Sequence, residues 1–161
     1  ILAVSRHFLQ YHFFPLFGMV NGVGWHADLR KQPFGDQITW HSSGIGEFEW
    51  TEGTLDAETL RRWTIREIVT WKDLRGEGLV MRHCVASYLH SCSSGKTSIW
   101  SLGLERNEQR RRQVLTVEVA VDKRIICQAR GKANRLPEEK EVEVLRRWAA
   151  QEELTLAEHV G

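Results

Sequence analysis

The sequence is poor in cysteine. It has three in 161 residues, Cys84, Cys92 and Cys127, an odd number at no spacing that suits a disulfide framework. A disulfide-stapled secreted scaffold is therefore excluded, free thiols in a reducing cytosol are expected, and the localisation read from the sequence is cytoplasmic. Long apolar runs are also missing. The opening stretch ILAVSRHFLQYHFFPLFGMVNGVG is interrupted by Arg6, His7, His12 and Pro15 well before the roughly 20 residues that a membrane span needs. It has neither the basic start nor the small-residue cleavage site of a signal peptide, so no membrane partner is expected. Nor is there an excess of charge of one sign. The net charge is +1, so nucleic acid would have to be met through local basic patches and not through a global field. Internal repeats and low-complexity linkers are lacking as well.

What is present is a hydrophobic content of 42%, which suits one compact domain with an appended arm. Residues 1–55 form the arm, rich in glycine and aromatic residues, with Trp25, Trp40 and Trp50 spread among short strands and loops. Residues 56–161 form the main domain. The chain opens at Ile1 without a Met, so it is expected to be part of a longer protein, and the remainder of that chain or a protein partner would cover the opening aromatics.

The spacing of Leu60, Trp63, Ile68 and Trp71 predicts a helix over 57–72, capped by Thr54 or Asp56. Gly76 and Gly78 mark a tight connection. A second helix is predicted over 79–92, with Met81, Cys84, Val85, Tyr88, Leu89 and Cys92 on one side and His83, Ser87 and His90 on the other. On such a helix His83 and His90 stand about 10 Å apart along the axis. That is too far for two ligands to share one ion at about 2 Å, and no metal is expected. Cys84 is read as a small buried hydrophobe, with a thiolate nucleophile as the alternative.

Strands follow at TSIWSLGL, QVLTVEVAV and IICQAR. With a short loop at Asp122–Arg124, the last two pair so that Leu115, Val117, Val119 and Val121 share a face with Ile125, Cys127 and Ala129. The opposite face then sets Glu118 across from Gln128 and Thr116 across from Arg130. Pro137 and the acids after it start a last helix at 138–152, with Val142, Leu145, Trp148 and Ala149 as its core stripe. The fold class read from the sequence is α+β: an antiparallel three-stranded meander with helices packed on one face and a Trp-rich N-terminal arm.

The segments EGLVMRHCVASY, SIWSL, LTVEV and QARGKAN, in this order, resemble the signature of the PcfJ-like family, bacterial proteins associated with conjugative plasmids and other mobile elements. The resemblance runs from about residue 60 to about residue 150. It implies that Glu77, Gly78, Met81, His83, Cys84, Val85, Tyr88, Gly95, Ile99, Thr116, Glu118, Gln128, Gly131 and Asn134 are signature positions of a conserved domain. It names a relative and no reaction.

Two functions are compatible with these residues. In the first, the polar sheet face cleaves phosphodiesters without a metal or cofactor. His83 and Glu118 act as acid and base, Arg130 stabilises the phosphate, and Thr116, Gln128, Lys132, Asn134 and Arg135 bind the substrate. In the second, the same face belongs to a noncatalytic module that binds nucleic acid or a protein. A plain cross-strand ion pair between Glu118 and Arg130 is the structural alternative to both. The Arg106 and Arg110–Arg112 patch reads as a solvated loop or a nucleic-acid contact. The architecture also resembles small toxin-type ribonucleases, by analogy of fold alone.

Overall fold

The computed structural model describes residues 37–54, 59–84, 86–107 and 109–160. Most of the expected arm lies outside these residues. The fold is α+β. Among the described residues it has three α-helices and a curled, mixed six-stranded sheet in the order β1-β2-β3-β4-β5-β6. The strands are β1 (Phe48–Glu52), β2 (Arg61–Ile68), β3 (Thr97–Arg106), β4 (Arg112–Ala120), β5 (Ile125–Arg130) and β6 (Thr155–Leu156). The helices are α1 (Trp71–Met81), α2 (Leu89–Ser93) and α3 (Glu139–Gln151). All neighbours are antiparallel except β5 and β6. The expected three-stranded meander is β3, β4 and β5, the middle of this larger sheet.

The helix expected over 57–72 is a strand instead. The segment fits both periods, since Trp63 and Ile65 alternate as a strand requires while Leu60, Trp63, Ile68 and Trp71 recur at helical spacing. All eight of its residues pair with β3, from Arg61 opposite Arg106 to Ile68 opposite Ile99. Long-range pairing, together with the β-branched Thr64 and Ile65, overrides a helical spacing that could bury only one stripe. Helix formation begins later, where the Thr70 hydroxyl caps the Asp73 amide at 3.0 Å.

The helix expected over 79–92 is also corrected. α1 ends at Met81 because Arg82 turns left-handed at φ 56° as its C-cap. A 3-10 turn, Ala86–Tyr88, and the short α2 follow in a new direction. The predicted two-sided helix therefore does not exist, and its burial reading is reversed at one pair, His83 buried and Cys84 exposed, while Met81 and Cys92 are buried and Ser87 and His90 exposed as expected.

Helices cover both faces of the sheet, not one. On one face α3 packs Val144, Leu145 and Trp148 against Trp100, Leu102, Leu115, Val117 and Ile126. Trp148 lies 4.8 Å from Trp100 between ring centroids and donates to the Gly46 carbonyl at 2.9 Å. The start of α3 agrees with expectation, with a capping box between Glu138 and Glu141. Val142 is only half-buried, and the stripe runs through Val144 instead. On the other face α1 and α2 bury Trp71, Leu74 and Cys92 against Ile68 and Ile99. β1, which falls within residues 1–55, is the edge strand of this same sheet.

The expected β4–β5 register holds for Thr116 with Arg130, Val117 with Ala129 and Glu118 with Gln128. It then shifts: a bulge at Glu118/Val119 sets Val119 opposite Ile126. Cys127 is displaced from the apolar face and Ile126 takes its place, fully buried. Ile126→Ala is therefore expected to cost about 2–5 kcal/mol in urea unfolding, and Cys127→Ala much less. Equal losses would return Cys127 to the core and remove the bulge.

Candidate functional site

The polar face of β4 meets α1 through a carboxylate. Glu77 sits within the buried stripe of α1, between Leu74 and Met81, and is 2% exposed. Its two oxygens accept from the Thr116 hydroxyl at 2.8 Å and from the Gln113 side-chain amide at 2.9 Å. Ser101 also donates to it, and the Arg111 guanidinium adds a favourable field. Burial nevertheless dominates and pushes the carboxyl above its ordinary range.

Arg111 completes this cluster from the opposite end. It donates to the Thr64 hydroxyl and to the Ser101 carbonyl, both at 2.8 Å. Its guanidinium lies over Gly103, where a Cβ would approach it to 2.3 Å, so that glycine makes room for the cation. Of the basic patch expected around Arg106 and Arg110–Arg112, Arg111 has folded inward, while Arg106, Arg110 and Arg112 are exposed.

Two more contacts join distant segments at this junction, and a third lies beyond them in the loop after β5. His83, just past the end of α1, sets its Nε2 at 2.7 Å from the Gly131 carbonyl. Burial, reinforced by nearby Arg130, holds its imidazole below the usual histidine range. The Tyr88 hydroxyl donates to Glu118 at 2.9 Å, and burial together with that carboxylate pushes the phenol up. Arg135 forks onto Glu141, with bonds of 2.7 and 2.6 Å.

Glu118, Gln128 and Arg130 are half-buried on the polar face, in the register that sets Glu118 opposite Gln128 and Thr116 opposite Arg130. Arg130 donates to the neighbouring Ala129 carbonyl at 2.9 Å. Lys132 and Asn134 are exposed on the loop beyond β5. The structure thus gathers His83, Thr116, Glu118, Gln128 and Arg130 around one junction. Arg135 is turned toward α3, and Cys84, expected in the core, is exposed. Its exposure comes from the left-handed cap at Arg82, which ends the helical phase on which the burial reading rested.

Glu77, named in the sequence only as a signature position, and Arg111, read there as part of a surface basic patch, are the members not assigned to the site. The signal for Glu77 was its position three residues past Leu74 and four before Met81, where a helix facing a core carries an apolar residue. Among the described residues, no group of three His, Cys, Asp or Glu side chains could hold a metal ion.

An α+β domain in which a helix-borne carboxylate and a helix-end imidazole are seated on one sheet face is the architecture at hand. Residues 54–145 match the family model described as PcfJ-like protein, and the chain belongs to that family. No curated protein and no solved structure matches it.

The raised Glu77 carboxyl makes a pH prediction. The folded chain holds this proton more tightly than the unfolded one, so the group's contribution to stability is complete below the ordinary carboxyl range. It is lost as pH rises through the raised value. Unfolding free energy measured across that window should fall for the parent chain and fall less for Glu77→Gln. Parallel profiles would mean that the carboxyl is not shifted.

Proposed function

We propose that the domain is a noncatalytic nucleic-acid-binding module of a mobile-element-associated bacterial protein, with the loop after β5 as its contact. The observation that carries this reading is where the polar groups point. Glu118 is engaged by Tyr88, Thr116 by Glu77 and His83 by the Gly131 carbonyl, whereas Lys132 and Asn134 face solvent and Arg130 is half-exposed.

The loop itself is preorganised. The Gly131 amide donates to the Arg135 carbonyl at 2.9 Å, Ala133 and Asn134 are both left-handed, and Arg135 is clamped by Glu141. A rigid, cation-bearing loop loses little freedom on meeting a phosphate, and Arg130 offers a guanidinium for bidentate contact. Contacts of this kind position a backbone and read no sequence.

Metal-independent phosphodiester cleavage is the second reading. It is favoured by the half-exposed set in which Tyr88 touches Glu118 across from Gln128, with Arg130 two residues further along β5. Here Glu118 would serve as base, His83 as acid, and Arg130 would bind the phosphate, with Thr116, Gln128, Lys132, Asn134 and Arg135 holding the substrate. A noncatalytic protein-binding role is the outcome left if nucleic acid neither shifts nor is cut.

The chain, incubated with labelled RNA, single-stranded DNA and duplex DNA with and without EDTA, should shift them and leave them uncut. Lys132→Ala should weaken binding on every sequence and flatten the slope of log affinity against log salt by about 0.7–0.9, since one phosphate fewer is neutralised. Cleavage that survives EDTA and disappears in Glu118→Ala would replace the binding reading with the enzymatic one.

A further inference from the structure

The solvent side of α1 brings three features together. Leu79 and Val80 are 70% and 49% exposed, the two most exposed large hydrophobics on any described helix. Gly76 stands one turn before them on the same side, at about 100° per residue. Lys72, Arg75 and Arg82 border this surface. The single acid there, Asp73, is turned back onto the Thr70 cap at 2.8 Å.

Gly76 is the informative residue. Glycine inside a helix weakens it relative to alanine, and a chain usually keeps one for a left-handed angle or for close packing. Neither applies here. Gly76 is not among the positive-φ residues, and apart from its chain neighbours and the backbone of its own helix no described atom lies within 4 Å of the place its Cβ would occupy. Gly103 and Gly131, in contrast, each have an arginine side chain within 3 Å of that place. The space beside Gly76 is a shallow notch with an apolar rim at Leu79 and Val80 and a cationic border.

We propose that this face of α1 docks an amphipathic helix of a partner protein, whose small and apolar stripe enters the notch and whose flanking carboxylates meet the exposed Lys72 and Arg82. Charge decides among the occupants. A second copy of the chain would bring the same cations together. Nucleic acid would satisfy the cations and leave Leu79 and Val80 against phosphate. An acidic amphipathic helix meets both features at once, in the helix-to-groove manner. The surface is distinct from the Lys132 loop, so this inference stands or falls independently of the nucleic-acid reading.

Fluorescence anisotropy with the full chain tests it, using a labelled helical peptide whose Leu and Ala stripe is bordered by Glu. The control peptide has Lys in place of Glu. Saturable binding of the acidic peptide, at least tenfold tighter than of the basic one, is expected. Gly76→Gln should raise the melting temperature, because glycine leaves the helix, yet weaken peptide binding about tenfold, because the notch is filled. Lys72→Glu should narrow the preference between the two peptides. Equal binding of both peptides, no binding of either, or full binding by Gly76→Gln would overturn the proposal. So would a sedimenting dimer that dissociates in Leu79→Ser, since that would make a second copy the occupant.

Discussion

The seating of the Glu77 carboxylate is the interaction on which the rest of this domain depends. A carboxylate 2% exposed is tolerated only where donors replace its water, and an unpaired buried charge costs several kcal/mol. Thr116 and Gln113 on β4 and Ser101 on β3 supply those donors at one place on the sheet, and the inward-folded Arg111 adds its positive field. α1 therefore has one productive position along β4. Sliding it by a turn would strand the carboxylate and the arginine together.

That position also directs the segment after the helix. With α1 held over the start of β4, its left-handed end at Arg82 delivers His83 to the Gly131 carbonyl and leaves Cys84 outside. The next turn brings Tyr88 to Glu118. The loop beyond β5 is thus tied from two sides, by His83 at its beginning and by Glu141 through Arg135 at its end. Its exposed Lys132 is presented on a frame that the buried polar groups hold still. The signature segments are far apart in the chain, and these contacts bring them to one junction.

The other face is held by different physics. Trp148, fully buried against Trp100 and hydrogen-bonded to the Gly46 carbonyl, fastens α3 across the sheet and ties in the segment leading to β1. Lys140 and Arg147, one face of α3, lie over the Trp50 ring at 4.5 and 4.2 Å, so the edge strand is covered by cations on aliphatic stems. A predominantly apolar core on one side and a satisfied polar cluster on the other let the sheet carry helices on both faces.

Much of this was legible in the residues themselves. The hairpin of β4 and β5 was readable through Glu118 and Gln128 because alternation and loop length constrain register locally. α3 was readable because an acidic first turn and a 3.6-residue stripe need no partner to be recognised. The segment 61–68 was not, since Trp63 alternates with Ile65 and also falls at helical spacing with Leu60, Ile68 and Trp71, and only β3, some 40 residues downstream, chooses between the two. The bulge that exchanges Cys127 for Ile126 and the left-handed Arg82 that reverses His83 and Cys84 leave no local signal either. The sequence by itself determined which segments alternate and which residues carry charge. Tertiary structure decided which polar groups are buried, because desolvation is set by what packs above a residue and not by its neighbours in the chain.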